Sequence, residues 1–69
     1  MPVYRQLAAI LRERIESGGL GPGAPLPSET YLMGEHGISR DSVRKALDIL
    51  RAEGLVITVQ GKGSFVTEG

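Results

Sequence analysis

Arg40, Arg44 and Arg51 recur at intervals of four and seven residues. On a helix, such intervals bring all three within about 40° of one another on a 100° wheel. Asp41, Lys45 and Asp48 lie alongside them. Grouped guanidinium ions donate to surfaces dense in acceptors, either phosphate oxygens or the guanine edge of a base pair. Arg40 and Asp41 fall in the first turn of this helix, where Ser39, Ser42 and free backbone N–H groups suit anionic oxygens. The same pattern describes a solvated charged face with i,i+4 pairing, as most surface helices have. Charge alone does not separate the two readings; the neighbouring elements favour the first.

Gly61-Lys62-Gly63 is a second candidate, one cation flanked by residues without side chains. Its backbone can approach a phosphate or enter a narrow groove. A turn that needs positive φ, with a lysine for solubility, has the same composition. Followed by Ser64, these residues superficially resemble a nucleotide-binding loop. Such a loop needs a longer glycine spacing and lies between a strand and a helix, whereas this one joins two strand-like segments.

Catalytic chemistry fails on inventory. His36 is the one histidine, and beside Gly37 it reads as a helix-end cation or a partly buried side chain. There is no cysteine, so neither a thiolate metal site nor a disulfide can form. The spacing supports no nucleophile–base pair and no three-ligand metal set. No enzymatic activity, metal or cofactor is expected.

The elements that must position these residues follow from periodicity. Leu7, Ile10, Leu11 and Ile15 mark one face of an amphipathic helix, which Gly18-Gly19 ends. The run from Gly21 to Pro27 holds three prolines and reads as a stiff surface connector anchored by Leu20 and Leu26. Ser28 caps a short second helix, with Glu29 in its first turn, Leu32 and Met33 inward and Gly37 at its end. Ser39 caps a third helix with the apolar stripe Val43, Ala46, Leu47 and Leu50, ended by Gly54. Two helices separated by Gly37-Ile38 predict a helix-turn-helix. Beyond Gly54 the period changes to two: Leu55–Val59 and Ser64–Thr67 read as strands around a Gln60–Gly63 turn. An isolated hairpin is marginal in water, so one face, taken as Leu55, Ile57 and Phe65, should pack on the helices.

Sixty-nine residues make one small domain with no room for a deep substrate cavity. No apolar run reaches the roughly 20 residues of a membrane span, and no signal-peptide pattern opens the chain. A soluble, cytoplasmic protein without membrane association is expected. Eight basic and eight acidic residues cancel. Residues 1–37 carry a balance of −1 and residues 38–67 one of +2, so the modest excess of cations lies on the second half.

Five ordered blocks cover essentially the whole chain: Pro2-Val3-Tyr4-Arg5-Gln6-Leu7, Leu26-Pro27-Ser28-Glu29, the stretch from Gly37 to Leu47, Glu53-Gly54-Leu55-Val56, and Gly61-Lys62-Gly63-Ser64-Phe65-Val66. This set resembles the amino-terminal domain of GntR-family transcriptional regulators, and the opening block is most similar to the HutC-type branch. The resemblance implies an α+β winged helix-turn-helix, three helices followed by a two-stranded hairpin wing. It further implies sequence-specific binding of double-stranded DNA, with the helix from Ser39 in the major groove and the wing tip in the minor groove.

Carried over by position, the DNA contacts are Ser28, Ser39, Arg40, Asp41, Ser42, Arg44, Gln60, Gly61, Lys62 and Gly63. Thr30 completes the set, standing where many members have a base-reading arginine, and Asp41 stands where a hydroxyl residue is common. These departures prevent transfer of an operator sequence from a relative. Family members continue into a larger ligand-binding and dimerising domain. The resemblance therefore implies a DNA-binding domain over 1–67 and a linker beginning at 68–69. It also implies a full-length homodimer formed through the further domain, an inverted-repeat operator and, by family habit, repression.

The rival reading is a winged helix that binds protein and not DNA. It requires an exposed apolar patch, whereas the core stripes are expected to absorb the apolar residues.

Overall fold

Ser28 Oγ accepts the Tyr31 N–H at 3.1 Å, and Ser39 Oγ accepts the Ser42 N–H at 3.2 Å. Each serine satisfies a donor that the first turn of a helix leaves without a backbone partner. The computed structural model describes residues 2–68. Its elements are α1 (Val3–Glu16), α2 (Glu29–His36), α3 (Arg40–Ala52), β1 (Val56–Val59) and β2 (Gly63–Val66). The expected α-α-α-β-β order is present. Met1 and Gly69 lie outside the described residues, so the linker expected at 68–69 is represented by Glu68 alone.

Gly37 makes the helix-turn-helix possible. Its φ of 64° is left-handed, and its N–H returns to Met33 O, which closes α2 within one residue. Ile38 and the Ser39 cap then lead directly into α3.

The apolar stripe of α3 is buried as expected: Val43, Ala46 and Leu50 are inaccessible to solvent and Leu47 nearly so. Leu7, Ala8 and Leu11 of α1, Leu32 of α2 and Leu26 of the connector join it in one core. Burying each large side chain contributes about 1.5–3 kcal/mol. Exposed ion pairs contribute about 0–1 kcal/mol each, so packing around α3 dominates the stability of the fold.

Ile10 is a correction. It is 41% exposed, and Ala8 takes the inward position on α1 instead. The pattern of four isoleucines and leucines described a wider stripe than the contact with α3 covers.

The hairpin face is corrected at Ile57 and Phe65, whereas Leu55 packs against the core as expected. Val56 pairs with Val66, Ile57 with Phe65, Thr58 with Ser64 and Val59 with Gly63. Val56 and Val66 are buried, whereas Ile57 is 50% and Val59 37% exposed. Leu55 is still tied to α3, its N–H bonding Leu50 O at 3.0 Å, and so the strand alternation takes its inward phase from Val56. A shift of one residue turns the other face of a strand to the core. The apolar residues are therefore not all absorbed by the core: Val3, Ile10, Tyr31, Ile57 and Val59 are exposed.

The proline-rich connector does more than span a gap. Leu26 N–H bonds Ser64 O at 2.9 Å and Val66 N–H bonds Ala24 O at 2.9 Å, with a bridge between Pro25 and Phe65. It lies along β2 as a short third edge, where a proline's missing N–H faces away from the ladder. The wing is thus supported along its second strand as well as from below.

Candidate nucleic-acid interface

The N-termini of α2 and α3 and the wing tip meet along one edge of the domain. A groove of about 450 Å³ runs between them. Ser28, Thr30, Arg40, Lys62 and Gly63, all sequence-predicted contacts, line it. Ser39, Asp41, Ser42 and Arg44 are on the same helix start but outside the groove lining, and Gln60 and Gly61 form the exposed tip beyond.

At the tip, Lys62 N–H bonds Val59 O at 3.0 Å, which makes Gly61 the third residue of a tight turn. Its φ of 79° is one that glycine adopts without steric cost. Lys62 therefore projects from a turn whose geometry the glycine sets. β2 begins at Gly63, one residue earlier than expected from the sequence.

Along the start of α3 the capping hydroxyls are linked. Ser39 Oγ donates to Ser42 Oγ at 3.2 Å while accepting the Ser42 N–H. The Ser42 hydroxyl keeps its own proton to donate outward. Val43 N–H bonds Ser39 O, which places the Arg40 and Asp41 N–H groups at the mouth of the helix, where an anion is favoured. Asp41 remains 77% exposed and pairs with Lys45 Nζ at 3.4 Å, while the same ammonium lies 5.6 Å from the centre of the Tyr4 ring. Lys45 is thus placed between a carboxylate and an aromatic face.

Two relationships escaped the sequence. Glu29 Oε1 is 3.8 Å from Arg40 Nε, and Glu29 Oε2 is 3.6 Å from Arg44 Nε, so one carboxylate of α2 serves two of the three arginines of α3. Arg40 Nη2 also reaches Thr30 Oγ1 at 3.5 Å. Arg51, grouped with these arginines on the helical wheel, has a different setting: it pairs with Asp48 and donates to Thr58 Oγ1 of β1 at 2.5 Å. Only the placement of α2 and β1 beside α3 could reveal the contacts of Glu29, Thr30 and Thr58, because these are not local in sequence; the Arg51–Asp48 pair, at i,i+3, is local.

Away from this edge, Arg12 forms a two-point pair with Glu53, Nε to Oε1 at 2.8 Å and Nη2 to Oε2 at 2.6 Å. The hydrogen bond to Arg12 holds the Glu53 carboxyl below its ordinary range. This pair joins α1 to the end of α3 on the exposed surface and is remote from the groove. Among the described residues, no cluster of His, Cys, Asp or Glu is arranged to hold a metal ion, and no helix is long and apolar enough to cross a membrane.

Three helices, a hairpin wing and a cationic edge shared by α2, α3 and the wing define a winged helix-turn-helix domain. The family model described as bacterial regulatory proteins, gntR family, matches residues 3–66, and the chain belongs to this family. It is 45% identical over 67 residues to the mannosyl-D-glycerate transport/metabolism system repressor MngR of Escherichia coli (strain K12), covering 97% of this chain and 28% of that protein. The histidine utilization repressor of Pseudomonas putida is 37% identical over 97% of this chain and 27% of its own length, in keeping with the HutC-like opening. Among solved structures, the DNA-binding domain of AraR in complex with operator ORX1 superimposes with a TM-score of 0.94 at 37% identity, covering 97% of this chain and 81% of that one. The chain thus spans a little over a quarter of the length of these curated relatives.

Proposed function

We propose that this domain binds double-stranded DNA in a sequence-specific manner and acts as the DNA-reading part of a transcriptional regulator. The start of α3 enters the major groove and the Gln60–Gly63 tip follows the adjacent minor groove. The convergence of Ser28, Thr30, Arg40, Lys62 and Gly63 on one groove, with Ser42 and Arg44 beside it, carries this reading. Zero net charge does not oppose it. Arg40, Arg44, Lys45 and Lys62 outnumber Glu29 and Asp41 along this edge by two, and DNA responds to that local excess.

Titration of mixed-sequence duplex at low and moderate salt provides the test. Binding should weaken as salt rises, with a log–log slope of roughly −3 to −5 per bound domain. A salt-independent interaction contradicts the phosphate-contact model. In the full-length regulator, a homodimer should read an inverted repeat, because paired recognition helices impose their two-fold axis on the operator. Repression is the expected sense, as in the relatives named repressors. The controlling ligand would bind in a domain other than this one.

The outer face of the hairpin favours a second reading. Ile57 and Val59 are exposed beside a half-buried Phe65, an apolar strip of the kind that a protein-binding winged helix requires. A domain that binds no duplex at low salt would support this alternative.

A further inference from the structure

We propose that Glu29 and Thr30 form a positioning pair that assigns different tasks to Arg40 and Arg44 in base reading. This inference rests on the DNA-binding reading above. A guanidinium group presents two edges that can make paired hydrogen bonds: the one formed by its two terminal nitrogens, and the one formed by Nε with a terminal nitrogen. For Arg40 the second edge is occupied by protein, with Nε facing Glu29 Oε1 and Nη2 facing Thr30 Oγ1. Nη1 and the second hydrogen of Nη2 remain, but the two contacts fix the plane of the guanidinium against α2. For Arg44, Glu29 Oε2 engages Nε alone and leaves the edge formed by the terminal nitrogens open. Held at one point, Arg44 can turn its terminal fork to guanine O6 and N7, whereas Arg40, held at two, keeps the orientation α2 gives it and makes single contacts to an acceptor.

The separations support a positioning role. Ion pairs at 3.6 and 3.8 Å between half-exposed groups add little to folding stability. Their effect is to restrict two long side chains before DNA arrives, so that less rotamer freedom is lost on binding. The carboxylate also repels phosphate. It weakens contacts with any duplex and leaves the advantage to sequences that supply acceptors where Arg44 points. Thr30 makes this arrangement possible: its short hydroxyl reaches Arg40 without filling the groove, at a position where an arginine would itself enter it.

The test uses the 69-residue chain, a selected duplex and a mixed-sequence duplex. Glu29→Gln should bind mixed sequence more tightly, and the ratio of selected to mixed affinity should fall about tenfold, with the thermal midpoint unchanged. Arg44→Lys should lose preference at one base pair because a lysine lacks the fork, while Arg40→Lys keeps it. Thr30→Val, which retains the shape and removes the hydroxyl, should lower the ratio in the wild-type background and leave it unchanged in Arg40→Ala. An unchanged ratio in Glu29→Gln, or loss of base preference in Arg40→Lys alone, overturns the proposal. Wild-type protein that binds neither duplex instead overturns the DNA-binding reading, and this inference falls with it.

Discussion

Arg51 Nη1 donates to Thr58 Oγ1 at 2.5 Å, and Thr58 Oγ1 lies 3.1 Å from Ser64 Oγ, so the last turn of α3 holds both strands of the wing. α3 and the wing therefore share a polar joint as well as the packing of Val56 and Val66. Thr58→Val removes the acceptor at constant shape and should lower stability by about 1 kcal/mol, the usual net worth of a partly exposed hydrogen bond. Amide exchange in β1 and β2 should accelerate more than exchange in α1. Uniform acceleration throughout the domain would show that the joint does not specifically hold the wing.

The inward phase of the hairpin can be tested by paired substitutions. Val56→Thr places a hydroxyl in the core without a partner and should cost about 1–3 kcal/mol. Ile57→Thr alters the outer face and should change stability by less than about 0.5 kcal/mol. Urea unfolding of the two variants measures both, and the opposite ranking would restore the Leu55, Ile57 and Phe65 face.

Glu53 predicts a dependence on acid. Its hydrogen bond to Arg12 holds its pKa below the ordinary value, against the opposing effect of desolvation. A depressed carboxylate stabilises the fold above its unfolded pKa, and this contribution disappears as pH falls through the folded value. Arg12 is raised by the same bond, so its own loss would come only at strongly alkaline pH. Wild type should therefore melt above Glu53→Gln at pH 7, and the difference should close below the ordinary glutamate range near about pH 4. A difference that persists to pH 3 would indicate that packing, and not the charge pair, distinguishes the two proteins.

Arg40→Ala and Arg44→Ala should each weaken DNA binding by about 1–3 kcal/mol. Both side chains are more than half exposed, so the unfolding midpoint should remain at the wild-type value. Lys62→Ala should reduce affinity with little change in base preference, as expected of a backbone contact at the wing. Wild-type binding by both arginine variants would remove α3 from the interface.

Asp41 combines two roles that one substitution separates. Its pairing with Lys45 and its place in the first turn of α3 are structural contributions. Its exposure also leaves the carboxylate able to accept from cytosine N4 in the major groove. Asp41→Asn keeps the shape, removes the charge and adds an amide donor. If Asp41 reads a base, selected sites should shift at one position, toward adenine, with little thermal change. If it is purely structural, the preferred site should stay the same and binding should tighten generally. Site selection with both proteins distinguishes these outcomes.

The order of elements, both ends of α2 and the start of α3 are set by residues that act locally. Ser28, Gly37 and Ser39 act on backbone groups within a few residues, so their effect does not depend on the rest of the molecule. The stripe of α3 was equally legible, because Val43, Ala46, Leu47 and Leu50 return to one side of a helix whatever packs there. Most of the candidate interface followed from that order, since a helix start and a turn tip are defined locally.

Tertiary structure decided which apolar residues face inward wherever both choices were apolar. Val56 and Ile57 are equally suited to a strand, and the tether between Leu55 and Leu50 selected between them. It likewise placed Ile10 beyond the reach of α3, brought Glu29 between Arg40 and Arg44, and gave Arg51 to the wing. Periodicity reports direction around one element; the neighbour found in that direction depends on how separate elements pack, and that is fixed by the shape of the shared core.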